Sequence, residues 1–231
     1  MPLHDGYSEV RRFFNENNVA TYDSVVRYAT FGRDKMWKNQ IAKMMCNGSF
    51  TPTAILDLAA GTGILSSILE RKSDKFNVYS LDLTLDYLKK AKEKSRRFSL
   101  INSTAELLPF RAEAFDSIVS SYLAKYINVG TVVQECWRVL RHDGKIVFHD
   151  FTFPQSPLVK KFWKFHFIVL KCSGHLLKEW APTFERLDKL IYKTNAWPDD
   201  TVLCLKKTGF VKVSRKYHTL GTSAIVYARK P

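Results

Sequence analysis

Residues 55–63, Ile-Leu-Asp-Leu-Ala-Ala-Gly-Thr-Gly, constrain the fold of this chain more than any other stretch. Ile55–Leu58 reads as a buried strand that breaks into two alanines and a Gly-Thr-Gly turn, then into a helix over about 63–71. A strand entering a glycine-rich turn and then a helix is how α/β proteins bring backbone close to a nucleotide-like cofactor. A dinucleotide fingerprint would need a third glycine where Ser66 stands, and a phosphate-binding P-loop would need a following Gly-Lys-Ser/Thr. What remains is Asp57-x-Ala59-x-Gly61-Thr62-Gly63, with Asp82 and Leu83 closing the next strand. An acid there can accept both hydroxyls of a ribose, whichever adenosine cofactor is bound.

Strands and helices alternate after this loop. Phe76–Leu81 is a strand ending at Asp82, Thr84 can cap a lysine-rich helix to about 95, and Phe98–Ile101 is a third short strand. Phe115–Ser120 is a fourth, followed by a helix over 130–140 that ends at His142-Asp143-Gly144 and a fifth strand over Lys145–Phe151. Before the loop, residues 7–45 read as helical and Asn47–Pro52 as a breaker. Residues 157–193 read as helices without intervening strands. The chain closes with a helix over about 199–208 and strands over 210–217 and 222–228, joined too briefly to be parallel. This pattern predicts an α/β, doubly wound, mostly parallel seven-stranded sheet whose ligand lies beyond the carboxyl ends of the strands. One domain over 1–231 is expected: a helical segment (1–50), a cofactor-binding core (51–154), a helical lid (155–198) and a closing helix with a strand pair (199–231).

Charge narrows the choice of partner. The chain carries 36 basic and 22 acidic side chains, a net +14, and 15 of the basic but only 5 of the acidic ones fall in residues 155–231. Such asymmetry points to an anionic partner, either nucleic acid or an anionic membrane surface. Cys46, Cys136, Cys172 and Cys204 are widely spaced, which predicts reduced, mostly buried thiols and no metal site. The apolar run Phe167–Leu170 is far shorter than the roughly 20 residues that span a bilayer. Met1–Arg12 is polar and charged, unlike a secretory leader. A cytoplasmic protein, peripheral at most to a membrane, is therefore the expectation.

Asp57-Leu58-Ala59-Ala60-Gly61-Thr62-Gly63 resembles motif I of class I S-adenosylmethionine-dependent methyltransferases, whose core is Rossmann-like. It is most similar to the UbiE family of ubiquinone and menaquinone C-methyltransferases, which also has alanine at the position of Ala59. Further stretches agree in order: Tyr22-Asp23, Phe31-Gly32 and Trp37-Lys38; Ala105–Phe110 followed by Phe115-Asp116; Trp137–Arg141; and Asp150–Pro154. The resemblance covers about residues 19–154 well and 209–230 loosely. It implies S-adenosylmethionine as cofactor, with Asp57, Ala59, Gly61, Thr62, Gly63, Asp82, Leu83, Thr104, Ala105 and Ser121 forming its site. Thr104 stands where the family usually has Asn or Asp, and its hydroxyl cannot imitate a carboxamide.

The resemblance further implies an acceptor that is a prenylated quinol or phenol, methylated on ring carbon. Here the chain departs from the family: its Arg-Asn pair becomes Lys125-Tyr126, and its Tyr-Leu-x-Glu-Ser-Ile segment becomes Arg186–Ile191. His149, Asp150, Tyr22, His166 and His175 are candidate bases, with His149 and Asp150 ranked first because they end the fifth strand on the ligand side. On a helix from Leu158 to Lys171, Leu158, Phe162, Phe165 and Val169 share one face, with Lys160, Lys164 and Lys171 on the other. Two readings follow for this helix. It is a surface helix packed on the core, or residues 157–178 form a basic lid resting on anionic lipid while its aromatic face receives a prenyl tail. Other functions stay open: methylation of RNA, which the charge would suit, or of another small molecule, or a non-catalytic donor-binding role in a lipid-biosynthetic complex.

Overall fold

The expected alternation of strands and helices becomes one sheet in a computed structural model that describes residues 3–46 and 53–231. The Asn47–Pro52 breaker lies outside the described residues. Three helices come first: α1 (Leu3–Phe13), α2 (Tyr22–Ala29) and α3 (Arg33–Cys46). The α/β core follows as β1 (Ala54–Leu58), α4 (Ile64–Glu70), β2 (Asn77–Asp82), α5 (Leu85–Lys94), β3 (Ser99–Asn102), β4 (Phe115–Ser121), α6 (Val129–Val139) and β5 (Leu140–Phe151). Two helices, α7 (Pro157–Ser173) and α8 (Ala181–Lys193), precede the closing α9 (Trp197–Thr208), β6 (Val211–His218) and β7 (Ser223–Arg229).

The strand order is β3-β2-β1-β4-β5-β7-β6, with β1 to β5 parallel and β7 antiparallel to both β5 and β6. Every residue of β4 is buried, as a strand covered on both faces requires. The edge strand β6 is exposed along most of its length and carries Lys212, Arg215 and Lys216, charges that discourage pairing with another chain. From β1 the chain moves outward to β3 and then returns to β4 on the other side of β1. The crevice at that reversal lies between the ends of β1 and β4, which Ser120 ties together by donating from Oγ to the Leu58 carbonyl (2.8 Å).

Several local expectations are corrected. His142–Gly144 does not separate a helix from a strand: β5 begins at Leu140 and carries an irregularity there, with Asp143 at φ +63°. Thr84 stands at the N-terminus of α5, but its side chain makes no cap hydrogen bond; its N–H is held by Asp82 instead (2.8 Å). Of the four free cysteines, Cys136 is buried while Cys46 and Cys172 are exposed. The proposed amphipathic face of α7 is turned the other way from a packed helix: Leu158, Phe162, Phe165 and Val169 are exposed, and His166, Phe167 and Leu170 are buried. Its apolar arc runs from Phe165 and Phe162 round to Leu170 and Phe167, with the lysines on the remaining side, so periodicity alone could not choose which part of that arc faces inward. Among the described residues no helix is long and apolar enough to cross a membrane.

Candidate active site

The loop after β1 is shaped by its backbone. Gly63 has φ +76°, and a Cβ there would sit 3.0 Å from the Ala91 Cβ and 3.2 Å from the Phe98 ring, so glycine lets α4 start tight against α5 and β3. Ala59 holds φ +60° without glycine's freedom. Behind the loop, Asp57 is buried and accepts from Ser66 Oγ (2.6 Å). Burial raises the Asp57 pKa to about 7, against the lowering effect of that hydrogen bond and of Lys38. Thr62 is also buried: its hydroxyl donates to Asp23 on α2 (2.5 Å), and Lys94 of α5 reaches both Asp23 (2.6 Å) and the Thr62 carbonyl (2.5 Å).

In front of the loop lies a cavity of about 730 Å³, mouth included, at the carboxyl ends of β1, β2 and β4. Seven of the ten sequence-predicted cofactor residues line it: Ala59, Gly61, Asp82, Leu83, Thr104, Ala105 and Ser121. Asp57, Thr62 and Gly63 do not; they hold the loop from behind. Asp82 accepts the N–H groups of Gly61 and Thr84 (2.8 Å each), and burial raises its pKa against those bonds. A carboxylate offers about four acceptor positions, so it retains capacity for the two hydroxyls of a ribose. In a chain of net charge +14, this lining includes two acids, Asp82 and Glu106, and no Lys, Arg or His. Such a lining suits a cationic ligand and opposes a diphosphate. Among the described residues no His/Cys/Asp/Glu group is arranged to hold a metal ion.

The roof of this cavity could not be read from the sequence. It comes from α1 and the turn behind it, with Tyr7, Val10 and Phe14, and from Tyr22 at the start of α2. Tyr7 donates to Glu106 (2.8 Å) and Tyr87 to Asn18 (2.7 Å), so the roof is latched to both sides of the cavity. These partners lie far apart in sequence, and no local pattern joins them.

A second, apolar cavity of about 530 Å³, mouth included, adjoins the first. Phe14, Tyr22, Tyr122 and Tyr126 line both and form the wall between them. Its far side comes from α2 and from the inserted helices, with Val25, Val26 and Ala29 facing Trp180, Phe184 and Leu187. Lys125 is the one cation among its lining residues, and it is ion-paired with Asp150, both fully buried. Burial pulls the Lys125 ammonium's pKa down and pushes the Asp150 carboxyl's up, each against the attraction of the other. The Lys125 nitrogen also lies 5.3 Å from the ring centroids of Tyr126 and Phe151.

The candidate bases fall in three different settings. Tyr22 lines both cavities, and its pKa is raised well above 10 by burial and by Tyr87, Asp34, Asp23 and Asp82, so it keeps its proton. Asp150 stands behind Lys125 rather than in the lining. His149 lines neither cavity; its Nδ1 lies 2.9 Å from Ser121 Oγ, and its buried Nε2 has no hydrogen-bond partner among the described residues. Burial, with Lys38 and Lys125 nearby, lowers its pKa well below 6.5 and keeps the ring neutral. His166 bonds the Ala29 carbonyl (2.9 Å) and ties α7 to α2, while His175 is exposed. Tyr122, missed from the sequence, donates to Asp34 (2.8 Å) from a residue at φ +73°.

This sheet order, a donor loop at the reversal point and an acid ending the second strand define a methyltransferase of the class I fold. Solved structures with that fold agree: one of an S-adenosylmethionine-dependent methyltransferase from Methanococcus maripaludis, described as putative, has a TM-score of 0.66 at 16% identity, covering 94% of this chain and 93% of that one. One from Aquifex aeolicus has a TM-score of 0.64 at 15% identity, covering 94% and 100%. The model of the ubiE/COQ5 methyltransferase family matches residues 4–230, and the chain belongs to that family. It is 28% identical over 230 residues to a demethylmenaquinone methyltransferase of Clavibacter sepedonicus (96% of this chain, 91% of that protein). It is also 28% identical over 229 residues to the ubiquinone/menaquinone biosynthesis C-methyltransferase UbiE of Rickettsia bellii (93% and 90%). The protein is thus a methyltransferase enzyme, and its cofactor is S-adenosylmethionine.

Proposed function

We propose that the protein methylates a ring carbon of a quinol or phenol bearing an apolar tail. The observation that carries this reading is the apolar cavity walled off from the donor cavity only by Phe14, Tyr22, Tyr122 and Tyr126. Relatives named for demethylmenaquinone and ubiquinone methylation support it.

S-adenosylmethionine supplies an electrophilic methyl group on a sulfonium when bound. The chain's own part is alignment and charge. Asp82 holds the ribose, the acidic lining suits the positive donor, and the aromatic wall keeps water from the space between the reactants. Methylation at carbon is helped when the phenol oxygen is ionised, which loads electron density onto the ring. The phenol proton passes to water as the acceptor binds. The new carbon–carbon bond forms as the methyl–sulfur bond breaks to leave S-adenosylhomocysteine, and the proton on the methylated ring carbon then leaves to water. Lys125, in the cavity lining, would hold that oxygen as phenolate, and its ion pair with Asp150 supports this role by fixing the ammonium from behind. Tyr22 and Tyr126, both held protonated by burial, can donate hydrogen bonds to it.

The test incubates the protein with methyl-labelled donor and either a reduced, demethylated prenyl quinone or RNA. Label on the quinol ring is the expected result, and it falls at least tenfold in Lys125→Met. Label in RNA alone, or donor binding without turnover on the quinol, would overturn the reading.

A further inference from the structure

The surface beside the apolar cavity carries residues that neither methyl transfer nor folding requires. On α7, Leu158 is 77% exposed, Phe162 60%, Phe165 62% and Ile168 58%. Phe31, in the turn between α2 and α3, is 65% exposed at φ +50°, and its ring lies 6.3 Å from Phe162 and 4.6 Å from His166. Leu176, just past α7, is also exposed. Two elements more than 120 positions apart in sequence thus present one continuous apolar surface. A contiguous exposed patch of this kind marks an interaction site rather than chance exposure.

The charges around it select the partner. Residues 157–178 contain five lysines and no acid. Lys171 is paired with Asp188, and Lys160 lies over the Phe153 ring. Lys161 and Lys164 are exposed at the edge of the patch, each one helical turn before a patch residue (Phe165 and Ile168), and Arg33 and Lys35 are exposed just after Phe31. Aromatic and aliphatic side chains bordered by cations, with no acid among them on α7, match an anionic bilayer, in which the rings enter the acyl boundary and the cations meet the headgroups.

We propose that Phe31 and the outer face of α7 form a membrane-docking surface for anionic lipid. The aromatic face enters the bilayer, the reverse of a lid that rests on its lysines. The acceptor cavity lies alongside: Val26 and Ala29 line it from α2 and Thr30 from the end of that helix, and the same α2 is joined to α7 where His166 bonds the Ala29 carbonyl. Docking there would bring the bilayer next to the helix that lines the cavity, shortening the path of a tail from membrane to site. This purpose rests on the lipid-like acceptor proposed above, whereas the docking itself does not.

Cosedimentation tests it, using vesicles of phosphatidylcholine with and without phosphatidylglycerol. The intact protein is expected to bind the anionic vesicles, and salt is expected to weaken that binding. Phe162→Ser/Phe165→Ser should lower the partition coefficient at least tenfold, and Lys161→Glu/Lys164→Glu should remove the preference for anionic lipid. Unchanged affinity for S-adenosylhomocysteine by calorimetry shows that both variants remain folded. The proposal is overturned if the intact protein stays in the supernatant with anionic vesicles, or if the serine variant binds as well as the parent. It is equally overturned if the parent is a dimer that the serine substitutions split, since the patch would then face a second copy. Methyl transfer to a water-soluble short-chain quinol is measured in parallel. That activity survives if only the docking surface is wrong, and it fails if the acceptor reading is wrong.

Discussion

Ala59 occupies a backbone conformation that glycine would hold without strain. Ala59→Gly is expected to stabilise the fold by up to about 1 kcal/mol, read as a higher denaturant midpoint at unchanged m-value. Asp57 provides a pH signature. With its folded pKa raised to about 7 from 3.8, the native state keeps a proton that the unfolded chain releases between these values. Stability therefore falls as pH rises through that window, and Asp57→Asn removes the contribution. The expected result is a melting-temperature advantage for Asp57→Asn that widens from pH 5 to pH 8; equal slopes for the two proteins would contradict it. Asp82→Ala should lower donor affinity at least tenfold by calorimetry, since its carboxylate also shapes the loop through Gly61 and Thr84.

Helix α1 and the Lys125–Asp150 pair carry the predictions at the scale of elements. Gly6 brings α1 so close to the loop after β4 that a Cβ would lie 1.9 Å from the Tyr126 carbonyl oxygen. Gly6→Ala should displace the roof and weaken donor binding at least tenfold. The sheet core lies elsewhere, so its melting temperature should fall by only a few degrees. The buried pair joins the end of β4 to β5. Lys125→Met alone should destabilise by about 3–5 kcal/mol by stranding the Asp150 charge, while adding Asp150→Leu should restore most of that loss. The strand–loop–helix at Ala54–Glu70 was legible because every signal it needs is local: a buried apolar run, a turn and an acid closing the next strand. Tyr7, Phe14 and Tyr126 were not, because chain reversals and packing bring them together. The orientation of α7 was not legible either, since its apolar arc is wider than the face it buries and only the surrounding fold decides which part is inside.

Taken whole, the molecule sets an acidic cavity, proposed for the donor, beside an apolar one, proposed for the acceptor, in a strongly basic body. S-adenosylhomocysteine at a hundred times its Kd should add about 2.7 kcal/mol to the unfolding free energy. In a chain of 231 residues that is a rise of roughly 5–10 °C in Tm, cut to about half or less in Asp82→Ala at the same ligand concentration and retained in the membrane-surface variants. Phe14, Tyr22, Tyr122 and Tyr126 belong to both cavities, so whichever reactant arrives first settles the side chains that the second must meet. Any gain in affinity that the donor gives the acceptor must then be returned by the same factor, whatever the order of arrival. On the proposed assignment, the two reactants are thereby sensed as a single condition, their joint presence, by four aromatic rings.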